Sequence, residues 1–134
     1  MLAKIYSAAV YGVDAYEVEI EVNAGAGEVK MVIVGLPDTA VKESRDRVRT
    51  AIANSGYRWS RKRTTINLAP ADIKKEGPSF DLPIALGMIA VAEELNTSAF
   101  EKFSFVGELA LDGSVRLTAS GFFPARRALL SCGT

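Results

Sequence analysis

The sequence predicts a single α+β domain in which a mixed β-sheet packs against helices. Three observations predict it. The strand and helix patterns follow the order β-β-β-α-β-α-β-β-α, so strands come in adjacent runs rather than alternating with helices. Apolar residues recur with a period of two in the strand segments and with a helical period elsewhere. The chain has 134 residues, 49% of them hydrophobic, which is enough for one sizeable core.

The first quarter of the chain predicts three strands. Residues 15–22 alternate strictly between apolar side chains and glutamates, which is the pattern of a half-buried strand. Residues 2–10 are the expected partner strand, joined to it by a turn at residues 11–14. Residues 29–34 are rich in β-branched side chains and favour a central strand, after a turn at residues 25–27.

Two helices are predicted in the middle of the chain. Asp38 can accept backbone N–H bonds at a helix start, which contributes about 1 kcal/mol. Apolar residues then recur at helical spacing until Gly56, which is placed to end the helix. Residues 64–68 predict another strand. The second helix, over residues 82–95, is apolar nearly all round, which is typical of a helix buried against a sheet.

The last quarter predicts a hairpin and the start of a third helix. Residues 103–111 and 114–118 are the two strands of the hairpin, joined by Asp112 and Gly113, a favoured turn pair. Residues 124–130 have the pattern of an amphipathic helix that stops abruptly. We interpret this ending as a sign that the chain is a piece of a longer protein.

Composition excludes several kinds of site. Lysine plus arginine and aspartate plus glutamate both number 16, so net charge indicates no class of partner. The chain has no histidine, which removes the commonest general base and metal ligand at neutral pH. Glu17, Glu19 and Glu21 share one strand face, but a hard cation prefers convergent oxygens from several segments. A solvated face is the expected role of these glutamates, and no metal site is predicted.

Targeting signals are also missing from the sequence. No segment has the pattern of a signal peptide, and the longest apolar run, residues 82–92, is far short of the roughly 20 residues that cross a membrane. The one cysteine, Cys132, cannot form an internal disulfide, which fits a reducing compartment. The expected location is the cytoplasm, with no membrane partner.

A nucleotide site is not predicted in this chain. Residues 35–42, Gly-Leu-Pro-Asp-Thr-Ala-Val-Lys, are the nearest approach to a P-loop. They lack its second glycine, and Val41 stands before Lys42 where the P-loop has glycine. We interpret the segment as a strand-to-helix turn in which Pro37 precedes the Asp38 cap. No cofactor is therefore expected within these residues.

Ser79 is the one candidate nucleophile. It stands where the chain enters the second helix, so backbone N–H groups could stabilise an oxyanion beside it. A serine needs a base, and without histidine only a serine–lysine pair remains. Lys74 and Lys75 are close in sequence but are expected to point into solvent. The interpretation we favour is structural, with Ser79 or Asp81 capping the helix. The residues that shape the turn are Gly77 and Pro78.

The strongest signal for function is the segregation of charge. Half of the positive charge lies between residues 42 and 63, whereas residues 14–28 hold five acids and no base. Tyr57 and Trp59 lie among the basic residues, and aromatic rings can stack on unpaired bases. A nucleic-acid surface, a subunit or domain interface and a solvated face all stay open. The contact candidates are Arg45, Arg47, Arg49, Arg58, Trp59, Arg61, Lys62 and Arg63.

Five stretches carry a resemblance to a known family. Their sequences are AAVYGVD at residues 8–14, VGLPDTAVKESRDRV at 34–48, INLAPAD at 66–72, KEGPSFDLPIAL at 75–86 and GELALDG at 107–113. In this order, and over most of the chain, they resemble the magnesium-chelatase-related AAA+ ATPases of the ComM/YifB type. The motif positions are Gly35, Pro37, Asp38, Gly77, Pro78, Ser79, Asp81, Gly107 and Glu108.

The resemblance implies a ribosomal-protein-S5-domain-2-like fold, which the Lon protease domain shares. Ser79 falls in the segment that is similar to the one carrying Lon's nucleophilic serine. The place of Lon's catalytic lysine falls at Phe122 or Phe123, and an aromatic ring cannot accept the serine's proton. The resemblance therefore implies a domain without catalytic residues. Residues 118–124 depart from the family's pattern, being slightly longer and lacking a common Arg-Gly pair.

The resemblance also implies a role within a larger protein. Members of the family carry an AAA+ module after this domain, so residues 1–134 are expected to be one N-terminal domain. ATP and Mg²⁺ are then expected to belong to the rest of the protein. The family is associated with hexameric rings and DNA processing, including branch migration in natural transformation. It implies an accessory domain that contributes DNA or subunit contacts. The alternatives are an assembly domain that touches no nucleic acid and a Lon-like serine–lysine peptidase.

Overall fold

The computed structural model describes residues 1–11, 14–116 and 128–130, which form eight strands and two α-helices. The strands are β1 (Leu2–Tyr11), β2 (Asp14–Gly25), β3 (Met31–Val34), β4 (Arg63–Ala69), β5 (Phe103–Phe105), β6 (Glu108–Leu109), β7 (Val115–Arg116) and β8 (Ala128–Leu130). The helices are α1 (Thr39–Asn54) and α2 (Asp81–Ala92), with short 3-10 turns at Pro78–Phe80 and Ser98–Lys102.

Six strands form one mixed sheet in the order β3-β4-β2-β1-β5-β8. Strand β2 is antiparallel to both β1 and β4, whereas β3 and β4, β1 and β5, and β5 and β8 pair in parallel. Strands β6 and β7 form a separate hairpin. The predicted α+β class, a mixed sheet packed against helices, is confirmed.

The predicted alternation of the second strand is confirmed and supplies the core. Ile20 of β2 lies opposite Ile5 of β1 and Leu68 of β4, so three strands present one apolar layer. Helix α2 packs on this layer so closely that a Cβ added at Gly87 would lie 2.5 Å from Val22 Cγ2. The helix is buried against the sheet, as its uniform apolar character predicts.

Strand β3 is an edge strand, and its predicted central place is wrong. It stands at the end of the sheet order, with β4 as its neighbour among the described residues. Met31 is buried, but Val34 is 42% exposed. A run of β-branched residues reports that a strand is favoured, whereas its place in the sheet depends on long-range pairing.

The predicted hairpin is present, and its first strand is shorter than expected, while residues 117 and 118 of the predicted second strand lie outside the described residues. Residues 103–111 divide into β5, which joins the main sheet, and β6, which pairs with β7. The backbone between them turns away because Gly107 N donates to Ser79 O at 2.9 Å and Leu82 N donates to Gly107 O at 3.0 Å. Its hydrogen bonds therefore go to the start of α2. The turn at Asp112 and Gly113 is as predicted, with Gly113 at a φ of 93°.

The predicted third helix is wrong for residues 128–130, which form β8 parallel to β5. An apolar run of three residues carries no usable periodicity, and the edge of the sheet offers hydrogen-bond partners to its backbone. Residues 124–127 lie outside the described residues. So do Phe122, Phe123, Cys132 and the turn at residues 12 and 13.

Candidate nucleic-acid interface

Helix α1 begins and ends as the sequence predicts. Asp38 Oδ1 accepts a hydrogen bond from Val41 N at 2.8 Å, which caps the first turn. The helix ends at Asn54, and Gly56 follows with a φ of 79°, a conformation that glycine adopts without strain. The face turned to the core carries Val41, Ser44, Val48, Ala51 and Ile52.

The arginines of α1 divide between the interior and the surface. Arg45 and Arg49, one helical turn apart, are exposed. Arg47 lies beside the buried stripe, and 20% of its side chain is exposed. Helical geometry therefore separates residues that stand two apart in the sequence.

Arg47 is engaged with a buried carboxylate on α2. Its Nε donates to Asp81 Oδ2 at 2.7 Å, and its Nη2 donates to Asp81 Oδ1 at 3.1 Å. The hydrogen bond to Asp81 is the main cause of a raised pKa for the Arg47 guanidinium. The guanidinium is bound to this buried carboxylate, which disfavours Arg47 as a contact residue.

Asp81 does not cap α2, and that prediction is wrong. Its carboxylate is fully buried, and no side-chain cap hydrogen bond is made at the start of the helix. Ser44 Oγ donates to Oδ1, and Leu109 N donates to Oδ2 at 3.1 Å. We call Ser44, Arg47 and Asp81 the Asp81 network. A buried carboxylate needs several hydrogen-bond donors, and Asp81 on α2 takes its donors from α1 and β6. The carboxylate therefore links these three elements.

Ser79 lies half-buried in the 3-10 turn before α2, and its side chain makes no cap there. Lys75, predicted to point into solvent, is fully buried. Its Nζ donates to Gly35 O at 2.7 Å and also to Pro70 O, and burial lowers its pKa. Lys74 is exposed, as expected. Lys75 is the lysine nearest in sequence to Ser79, and its ammonium group is hydrogen-bonded to two backbone carbonyls.

Lys75 also clamps the turn before α1. Lys75 N donates to Leu36 O and Asp38 N donates to Lys75 O, both at 2.9 Å. Asp38 Oδ2 accepts from Gly77 N at 3.1 Å. Gly35 has a φ of 103°, and a Cβ there would lie 2.2 Å from Leu68 O. Two of the motif stretches therefore fold against each other as a structural unit.

The other motif positions lie close to this unit. Pro37 forms an isolated bridge with Lys75, and Pro78 opens the 3-10 turn. Gly107 is so tightly enclosed that a Cβ would lie 2.6 Å from Val115 Cγ1. Glu108 stands opposite Arg116 in the register of the hairpin.

A basic groove lies between α1, β3 and the start of β4. Its charged lining is Lys30, Arg45, Arg49 and Lys62, with Asp46 as the one carboxylate among the residues that line it, and its volume is about 330 Å³. We call it the Lys30 groove. Trp59 forms part of its wall, and Arg49 Cζ lies 5.7 Å from the centre of the Trp59 ring. This distance is within the range of a cation–π contact.

Sequence reasoning missed Lys30, which stands twelve residues before the basic stretch. Thr64 N donates to Lys30 O at 2.8 Å, and Met31 pairs with Thr64 in parallel strands. These bonds bring Lys30 beside the start of β4. Lys30 could have been found only from the pairing of β3 with β4, and the sequence pattern does not show which strands pair.

A second groove lies on the other side of Trp59. It is larger, about 570 Å³, and lies between the loop before β4 and the end of α2. Arg58, Arg61 and Lys62 line it, but so do Glu93 and Glu94. We call it the Glu93 groove. The two carboxylates stand at the negative end of the α2 dipole, so this groove is much less favourable to an anion than the Lys30 groove.

The two aromatic residues of the basic stretch lie in different places. Trp59 lines both basic grooves, whereas Tyr57 lines an apolar groove with Leu82, Leu86 and Ile89 on α2. Tyr57 is 54% exposed. Arg63 begins β4 and lies against Gly27, where an added Cβ would be 3.3 Å from its side chain.

The described residues contain no group of three acidic, histidine or cysteine side chains that could hold a metal ion. The glutamates of β2 make contacts within the sheet instead. Glu19 pairs with Lys4 at 3.3 Å, and Glu21 accepts from Asn67 Nδ2 at 3.0 Å. Within the described part of the chain, no helix is long and apolar enough to cross a membrane.

Comparison with known proteins identifies the family. The family model of subunit ChlI of Mg-chelatase matches residues 18–129. The protein YifB of Salmonella typhimurium is 48% identical over 128 residues, which cover 96% of this chain and 25% of that protein. The competence protein ComM of Haemophilus influenzae is 48% identical over 124 residues, covering 92% of this chain and 24% of that protein.

A third relative, YifB of Escherichia coli, is 45% identical over 130 residues, covering 97% of this chain and 26% of that protein. The chain thus spans about a quarter of the length of these relatives. The match to the family model and the long, high-identity alignments agree with the resemblance carried by the motifs. The chain belongs to the Mg-chelatase ChlI family, in its ComM/YifB-like group.

Proposed function

We propose that this chain is an accessory domain of a longer AAA+ ATPase that acts on DNA in the cytoplasm, and that it contacts DNA through the Lys30 groove. The family and the name of the competence protein ComM support the setting. ATP, Mg²⁺ and the hexameric ring belong to the longer protein in this proposal. We also propose that the domain has the ribosomal-protein-S5-domain-2-like fold, which the Lon protease domain shares.

The observation that carries the proposal is the charge of the Lys30 groove. Four cationic side chains, from α1, the segment before β3 and the loop before β4, line one concave surface together with a single carboxylate. Arg45, Arg49, Lys62 and Lys30 are all exposed, so their charges can reach phosphates. Phosphate contacts from lysine and arginine supply most of non-specific DNA affinity.

The surroundings of Ser79 support an accessory role rather than a peptidase. A serine nucleophile needs a base within hydrogen-bond distance. The nearest lysine in sequence is buried and donates to Gly35 O and Pro70 O. The peptidase alternative makes a simple prediction, which is that Ser79→Ala abolishes any peptidase activity of the purified chain.

The test of DNA contact is reversal of the groove's charge. Arg45→Glu, Arg49→Glu and Lys62→Glu are combined in one variant, and binding to a labelled duplex is followed by fluorescence anisotropy across a salt series. We expect weaker binding, and a plot of log affinity against log salt whose slope falls by about 2 to 3, since each phosphate contact contributes roughly 0.9.

A matched control reverses three exposed cations elsewhere. Lys74→Glu, Lys102→Glu and Arg116→Glu give the same change in net charge. Equal loss of binding in both variants would mean that net charge alone is responsible. Unchanged binding in the groove variant would eliminate DNA contact here and leave the assembly alternative, which sedimentation at several concentrations measures.

A further inference from the structure

Trp59 stands where the two basic grooves adjoin. It lines the Lys30 groove and the Glu93 groove, as does Lys62. Its ring is half-buried and packs against the hydrophobic core, so its position is fixed. An aromatic ring that lines a positively charged groove is one arrangement by which proteins hold single-stranded nucleic acid, because every base has a face that can stack.

Arg49 lies next to this ring in the Lys30 groove. Its guanidinium lies over the Trp59 ring, while the residue as a whole stays exposed. The contact restricts a side chain that would otherwise sample many rotamers. A guanidinium held in this way offers a planar cation on which an unpaired base can stack.

We infer that the Lys30 groove takes unpaired nucleotides in preference to duplex, with a base stacked against the Arg49–Trp59 pair and the flanking phosphates on Lys30, Arg45 and Lys62. This inference rests on the proposed DNA contact and specifies its substrate. In a duplex, the faces of the bases are covered by their neighbours, so stacking on a side chain adds affinity for single strands alone.

The charges around the site favour this groove over its neighbour. Asp46 is the one carboxylate among the residues lining the Lys30 groove, whereas Glu93 and Glu94 line the other. A strand bound through phosphates is therefore directed toward the α1 side of Trp59. Tyr57, the other aromatic of the same loop, faces the apolar groove and takes no part.

The test compares one sequence as a fluorescein-labelled single strand and as a duplex. Arg49→Lys keeps the positive charge but removes the planar group, and because Arg49 is exposed the domain stays folded. Trp59→Leu removes the ring itself. We expect Trp59→Leu to weaken single-strand binding by about five-fold or more, and Arg49→Lys by a few-fold, with duplex binding changed less than two-fold.

Tyr57→Leu is the matched control, an aromatic change in the same loop that should leave both affinities unaltered. Trp59 is also the one tryptophan of the chain, so its fluorescence reports the site directly. We expect a single strand to quench it more than the duplex does. An RNA strand of the same sequence shows which sugar is preferred within the class of unpaired nucleotides.

Two kinds of failure are distinguishable. If the triple charge reversal leaves both DNA forms bound as before, the proposed DNA contact is wrong. If charge reversal weakens both forms but Arg49→Lys and Trp59→Leu affect single strand and duplex alike, the DNA contact stands and the preference for unpaired nucleotides is overturned. Equal quenching of Trp59 by both forms would overturn it as well.

Discussion

The Asp81 network and the Lys30 groove are both built from the arginines of α1, and they use them in opposite ways. Arg47 makes two hydrogen bonds to a fully buried carboxylate. Arg45 and Arg49 stay exposed beside a groove that one carboxylate lines. Two residues along a helix are enough to change an arginine from a part of the fold into a part of a surface. A count of charges in a sequence therefore overstates the surface that they make.

The largest effect is expected from breaking the network at its centre. Asp81→Ala removes the carboxylate that accepts from the Arg47 guanidinium, the Ser44 hydroxyl and Leu109 N, and leaves the guanidinium with Ala40 O and the exposed Glu43. Breaking a buried ion pair costs about 3–5 kcal/mol. Because 20% of the Arg47 side chain is exposed, we expect a loss toward the lower end, about 3 kcal/mol, in the free energy of unfolding. Urea denaturation measures it.

A milder variant and a double variant sharpen this prediction. Asp81→Asn keeps an acceptor for Leu109 N but removes the charge, so its loss should be smaller. Adding Arg47→Met to Asp81→Leu should recover part of the stability lost in Asp81→Leu, because no unpaired charge then remains. Strictly additive losses would contradict the coupling between the two side chains.

The second effect is a dependence of stability on pH that comes from Lys75. Burial lowers the pKa of Lys75 in the folded chain, so the unfolded chain binds its proton more tightly. The folded state is therefore disfavoured while Lys75 is charged, and its stability rises as pH passes upward through the lowered pKa toward the ordinary value of 10.5. The slope is at most about 1.4 kcal/mol per pH unit.

Comparison with a variant isolates this titration from the other groups. Lys75→Met lacks the titrating amine, so the difference in unfolding free energy between the wild type and this variant should shift with pH in favour of the wild type. Lys74→Met, which removes an exposed amine next to it, is the control. A flat difference for Lys75→Met would mean that its amine titrates normally in the folded chain.

A smaller loss is expected at the clamp that starts α1. Asp38 caps Val41 N with one carboxylate oxygen and accepts from Gly77 N with the other. Asp38→Ala should cost about 1–2 kcal/mol, since a lost cap alone typically costs about 1. Asp38→Ser retains the cap but not the contact with Gly77, and the difference between the two variants measures the second bond. Equal losses would assign no stability to that contact.

Local patterns predicted much of this fold, and long-range pairing decided the rest. The alternation of residues 15–22, the Asp38 cap and the apolar second helix were evident because each depends on neighbours in sequence. The edge position of β3 and the strand at residues 128–130 depend on which strands pair, and no local pattern reports that.

The candidate site divides in the same way. The basic stretch was visible, and it supplied Arg45, Arg49, Trp59 and Lys62 of the Lys30 groove. Lys30 itself was missed because strand pairing places it there, and Arg47 was included because its partner Asp81 is 34 residues away. Lys75 was misplaced for a related reason, since the carbonyl acceptors of its ammonium become neighbours only in the folded chain.

The smallest effects on stability are expected at the outer arginines of α1. Arg45→Ala should change the free energy of unfolding by less than about 0.5 kcal/mol, because its side chain is exposed and its hydrogen bond to Met31 O is long, at 3.5 Å. Arg49→Ala also loses the contact with Trp59, worth about 0.5–1 kcal/mol at an exposed site. Arg47→Ala, between them, should cost several times more, because it leaves Asp81 buried without its charged partner.

For DNA affinity the smallest loss is expected from Arg47→Ala, and larger losses are expected from Arg45→Ala and Arg49→Ala. Arg45→Ala and Arg49→Ala each remove a cation of the Lys30 groove, whereas Arg47 already has its partner inside the domain. Alanine variants measured for both unfolding and binding therefore separate the two faces of one helix. If Arg47→Ala lowered DNA affinity as much as Arg49→Ala while the domain stayed folded, α1 would have one basic face rather than two separate roles. If Arg47→Ala lowers the free energy of unfolding while Arg45→Ala and Arg49→Ala lower DNA affinity, one face of α1 stabilises the fold and the other binds DNA.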